Sequence, residues 1–143
     1  MDLSELLRKD LIRKTGPDSA KAKELLAMAE RDVKAAADNL GSGNYDWALA
    51  IAYNAMLSAG RALMSSKGYS PVSEAHHLAV VQFCAALLPA DAAGLAHTFN
   101  RYRVRRHDVI YGEAESVGKE EARRAIENAK LFVKSIKGRV GKK

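Results

Sequence analysis

A single cysteine, Cys84, in 143 residues leaves this chain with neither a disulfide framework nor a thiolate metal cluster. Set within an apolar run, Cys84 reads as a small buried hydrophobe. Three prolines and ten glycines are too few for the many turns of a β-rich architecture. Long hydrophobic runs are also missing. The uncharged stretch between Asp46 and Arg61 is 14 residues long and includes Asn54 and Ser58, whereas a bilayer-spanning helix needs about 20 apolar residues. No apolar signal core follows Met1-Asp2-Leu3-Ser4-Glu5, so a cytoplasmic protein without a membrane segment is expected. There is no Gly-rich phosphate loop, and no serine stands in a nucleophile-elbow context. His76 and His77 are adjacent, which points their rings to different helix faces, and no carboxylate is spaced to complete a zinc site with them. No metal or cofactor is expected, and His97 reads as structural.

Hydrophobic residues at 48% with 28% charged residues describe a globular chain with enough length for its own core. One domain over residues 1–143 is the expectation. The net charge of +6 is unevenly spread. Residues 1–100 hold 10 Lys/Arg against 11 Asp/Glu, and residues 101–143 hold 13 against 6. All of the excess positive charge therefore lies in the C-terminal third, a one-sided field that favours acidic partners such as nucleic acid or nucleotides.

The apolar spacing is helical throughout, and nothing resembles a strand. Leu3, Leu6, Leu7 and Leu11 form one stripe over 2–14, ended by Thr15-Gly16-Pro17-Asp18. A helix over about 18–40 carries Leu25, Leu26, Ala29, Val33 and Ala36, and Gly41-Ser42-Gly43 closes it. The next, about 46–66, is apolar almost all round and belongs at the centre of the core, with Trp47 and Tyr53 both placed there. Helices over about 74–88, 90–111 and 119–138 follow, with a connector over 112–118. The fold class is all-α: an antiparallel helical bundle with a core over about 18–137 and a short extra N-terminal helix.

Chemistry concentrates in Asn100-Arg-Tyr-Arg-Val-Arg-Arg-His-Asp-Val-Ile-Tyr111. At about 100° per residue, Leu95, Phe99, Tyr102, Arg106 and Val109 share one line. Arg106 thus interrupts an apolar seam, either as a snorkelling or ion-paired structural residue or as a semi-buried anchor for phosphate. Val104, His107 and Tyr111 share the opposite face, and Arg101 and Asp108 point to solvent. Candidate phosphate ligands are Arg103, Arg105 and Arg106. Candidate catalytic groups are Arg106, His107 and Tyr111.

Arg106-His107-Asp108-Val109-Ile110-Tyr111 resembles the Arg-polar-x-x-x-His signature of the HEPN superfamily (higher eukaryotes and prokaryotes nucleotide-binding domain). Asn44-Tyr45-Asp46-Trp47-Ala48, Ala52-Tyr53-Asn54-Ala55-Met56 and Gly68 are similar to that family's core helix. A histidine soon after it, here His76 or His77, fits as well, and Lys119 to Ile136 resembles the closing helix. The resemblance implies a homodimer with the motifs of both subunits facing one cleft. It further implies binding of RNA or nucleotide, or of a minimal nucleotidyltransferase partner. In active members the cleft cuts RNA without metal: the histidine moves protons, the arginine holds phosphate and the ribose 2′-OH attacks. The alternative function is accordingly a metal-independent ribonuclease toxin of a toxin–antitoxin pair. The chain departs from the signature at its last position, where Tyr111 replaces the histidine, and a phenol is a poor general base near neutral pH. Pairing Arg101 with His107 keeps a histidine at a looser spacing.

Overall fold

The computed structural model describes residues 2–73, 75–112 and 117–140. Most of the expected connector, the first residue of the expected 74–88 helix and the terminal lysines lie outside these residues. In chain order the elements are α1 (Leu3–Arg8), β1 (Ile12–Lys14), α2 (Ser19–Gly41), α3 (Tyr45–Lys67), β2 (Tyr69–Pro71), α4 (His77–Leu87), a 3-10 turn (Ala90–Ala92), α5 (Ala93–Tyr111) and α6 (Lys119–Val140).

The strand pair corrects the expectation of helix alone. The stripe over 2–14 stops at Arg8, because a helix this short gains little from its own hydrogen bonds and Asp10 takes a left-handed φ of 56°. The chain then turns, and Ile12, Arg13 and Lys14 pair antiparallel with Pro71, Ser70 and Tyr69. Ile12 is buried beneath this ribbon. Gly68 makes the return possible. It ends α3 at φ 90°, and a side chain there would meet the backbone of Gly16 and Pro17 at 3.0–3.1 Å. Its carbonyl accepts from the amides of Thr15 and Gly16.

As expected, α3 forms the centre, with α2, α4, α5 and α6 packed around it. Its alanines and Gly60 are buried. A Cβ on Gly60 would lie 2.7 Å from Val80 Cγ1 and 3.2 Å from Phe99 Cε2, so this glycine lets α4 and α5 close on α3. Phe99 links the layers: its ring centroid is 5.8 Å from Tyr53 on α3 and 5.0 Å from Phe132 on α6. Trp47 does not join the core and is 60% exposed. On an ideal helix it lies within roughly 20° of Asn54, which is also exposed, so both stand on a side of α3 that the other helices leave uncovered at these two positions. No helix among the described residues is long and apolar enough to cross a membrane.

Candidate functional site

Along the predicted seam of α5, Phe99 and Tyr102 are buried and Leu95, Arg106 and Val109 half-buried, with Ala96 buried beside them. On the α6 side, α5 is held by side chains. Arg105 grips Glu121 in a two-pronged ion pair at 2.6 and 2.9 Å. Asn128 Nδ2 donates to the Tyr102 hydroxyl at 3.2 Å. The opposite side of α5 faces the start of α4, and between them lies a groove of about 530 Å³.

This groove collects most of the residues expected to act together. Arg103, Arg106, His107 and Tyr111 line it from α5, and residues 75–78 line it from the turn before α4 and the first residues of that helix. Arg106 and Tyr111 are about 140° apart on the helix, so they form separate parts of the wall, and the turn ahead of α4 closes the space between them. The His107 and Tyr111 rings lie 4.8 Å apart at the exposed rim. Two of the named arginines lie elsewhere. Arg105, expected to hold phosphate, is turned to α6 and Glu121. Arg101 lies over the Tyr102 ring at 5.8 Å and takes no part in the groove wall, so of the looser Arg101–His107 pair only the histidine reaches it.

The groove is strongly suited to an anion. Arg106 Nε is buried without a hydrogen-bond acceptor, and no ion pair involves Arg106 among the described residues. Leaving such a donor unmet costs about 1–3 kcal/mol. Its terminal amino groups are neither partnered nor buried and so open into the groove. Arg103 is oriented by Asn100, whose Oδ1 accepts from Arg103 Nε at 3.0 Å. The helix end opposite adds positive potential: α4 has no side-chain cap and no acid in its first turn. Among the described residues, no group of three or more His, Cys, Asp or Glu side chains is arranged to hold a metal ion.

Sequence reasoning passed over one constituent. His77, considered above only as a metal ligand and a family position, lines this groove, and its Nδ1 lies 3.1 Å from the hydroxyl of the buried Tyr53. Burial pushes the Tyr53 phenol up to about 12, against the opposing pull of Arg103, Arg106 and Arg61. Burial, and then Arg61, Arg106 and Arg103, hold the His77 imidazole below its ordinary value, so it is neutral at pH 7. A signal was present in the sequence: a tyrosine in the middle of an apolar helix needs a partner for its hydroxyl.

The family model described as the HEPN domain matches residues 22–139 of this chain. In structure the chain is similar to TT1696 from Thermus thermophilus, with a TM-score of 0.65 and 22% identity over 82% of this chain and 97% of that one. It is similar to the same degree, 0.65 and 22%, to ST0689, an archaeal HEPN homologue, over 83% of this chain and 97% of the other. These two likenesses speak for the fold. No curated protein sequence matches the chain.

Proposed function

The chain belongs to the HEPN domain family, and on that premise we propose that it binds RNA through the groove between α4 and α5, holding backbone phosphate with Arg103 and Arg106. The observation that carries this reading is Arg106, a half-buried guanidinium with an unmet Nε donor and with amino groups open to the groove. A phosphate oxygen can accept from those amino groups, while the buried Nε holds no acceptor that would draw the guanidinium away from the groove. The positive charge of residues 101–143 extends the attraction beyond the groove itself. Tyr111 at the groove and Val104 on the same helix, 71% and 47% exposed, support a second copy of the chain packing there, which would make the cleft two-sided. Family resemblance also brings in a minimal nucleotidyltransferase as partner, but no feature of the groove selects that protein over RNA.

The test is anisotropy of a labelled single-stranded RNA titrated with the full chain between about 50 and 200 mM salt. Each phosphate contact contributes about 0.7 to the logarithmic salt slope for single strands. Replacing both Arg103 and Arg106 with alanine should weaken binding and reduce that slope by about 1.4. Salt-independent affinity, or equal binding by the double variant, rules the reading out.

A ribonuclease function is the second reading, favoured by one observation: His107 and Tyr111 share the groove wall with Arg106. His107 is then the group that takes or gives the proton, and Arg106 steadies the phosphate. Cleavage of RNA in the presence of chelator, abolished by Arg106→Ala, would establish it. Cleavage that survives Arg106→Ala would remove Arg106 from the mechanism.

A further inference from the structure

Tyr53 has no exposed surface, so its hydroxyl proton must go to an acceptor inside the protein. Among the described residues the hydroxyl has one hydrogen-bond partner, His77 Nδ1 at 3.1 Å. Nδ1 therefore accepts, and a neutral imidazole that accepts at Nδ1 carries its proton on Nε2. His77 Nε2 has no partner among the described residues and is not a buried atom. It thus opens to the groove that His77 lines with Arg103 and Arg106.

We propose that Tyr53 locks His77 in its Nε2–H tautomer, and that this uncharged N–H donates a further hydrogen bond to the RNA phosphate held by Arg103 and Arg106. The proposal rests on the groove being a phosphate site. Tyr53 is a positioning residue and His77 touches the ligand. The charge around the pair explains why the additional donor is neutral. Arg61, Arg103 and Arg106 all act on the imidazole, and together with burial they oppose its protonation. A further cation would repel three guanidinium groups, whereas a neutral N–H adds directionality without that repulsion. The ring contact between Tyr53 and Phe99, and that between Phe99 and Phe132, tie the orientation of the pair to the packing of α3, α5 and α6.

The test has two arms, both on the full chain. Long-range proton–nitrogen NMR of histidine-labelled protein at pH 7, with His77 assigned by its loss in His77→Gln, reads the tautomer directly. A protonated Nε2 and bare Nδ1 are expected, and Tyr53→Phe should turn His77 into a mixture of tautomers. In RNA anisotropy, His77→Ala should lose about 10-fold in affinity, the equivalent of one charge-assisted hydrogen bond. His77→Gln, whose amide N–H reaches the position of Nε2, should recover most of that loss. The salt slope should stay unchanged in both, because no charge has been removed. A charged or Nδ1-protonated His77 at pH 7 overturns the proposal. So does full affinity in His77→Ala while Arg106→Ala binds weakly. If Arg106→Ala also binds normally, the phosphate reading of the groove falls instead and takes this proposal with it.

Discussion

Replacing Arg106 with methionine should stabilise the fold and weaken RNA binding. The wild-type side chain sits on the apolar seam of α5 and buries an Nε that lacks an acceptor, with its terminal amino groups beyond. Methionine keeps an unbranched apolar stem of similar reach and can fill the same irregular space. It removes the unmet donor, worth about 1–3 kcal/mol, and sacrifices some packing of the lost atoms. A net gain of about 1 kcal/mol is expected, which for a domain of this size raises Tm by about 3 °C. In the complex the same guanidinium gives charge-assisted hydrogen bonds to phosphate worth about 1.5–3 kcal/mol, so affinity should fall by about 10- to 150-fold. Thermal melting followed by circular dichroism, and RNA anisotropy on the same preparation, measure both sides. A variant that melts several degrees lower would refute the reasoning, since it would mean that the fold itself satisfies Arg106. Stabilisation with undiminished RNA affinity would refute the assignment of Arg106 to phosphate.

Three further outcomes are expected. The His77 imidazole is held below its ordinary 6.5 in the folded state, so the unfolded chain takes up this proton first as pH falls. The contribution of His77 to stability is present above about pH 6.5 and lost on acidification; urea unfolding at pH 7.5 and 5.5 should show wild type losing more than His77→Gln, and the reverse order would contradict the shift. Tyr53, pushed up from 10.0 to about 12, keeps its proton in the fold while the unfolded chain ionises, so stability declines as pH rises from 10 to 12. This amounts to on the order of 2–3 kcal/mol, absent in Tyr53→Phe, and urea midpoints for the two proteins at pH 9 and 11.5 should diverge accordingly. Gly60→Ala gains about 1 kcal/mol of helix propensity but forces a methyl to within 2.7 Å of Val80 Cγ1. Overpacking of about 1–3 kcal/mol should prevail, leaving the variant about 1 kcal/mol less stable in urea unfolding; a more stable variant would show that α4 yields easily.

The strongly periodic segments were legible because burial repeats along a helix every three to four residues. Leu26 and Ala29 on α2, Phe132 and Ile136 on α6, and the near-complete apolar surround of α3 all lie where their spacing placed them. The strand pair was not legible. Two three-residue segments 57 residues apart, Arg13 opposite Ser70, carry no periodicity of their own, and pairing depends on where Gly68 redirects the chain. Trp47 shows the limit of composition as a guide: an apolar residue is buried only where another element covers its face of the helix.

The sequence by itself determined that this protein is a helical bundle, that its excess positive charge gathers in the C-terminal third, and that Arg106 interrupts an apolar seam on the penultimate helix. Those properties are local, because spacing along one helix sets which residues share a face. Only the tertiary structure decided which of the arginines are free to serve a ligand. Arg105 and Arg106 are neighbours in the chain, but the approach of α6 brings Glu121 to the first, while the start of α4 leaves the second facing an open groove. Tertiary packing also brought His77 to Tyr53 across 24 residues. A charge or a hydroxyl is written in the sequence, whereas its partner depends on which helix packs against it.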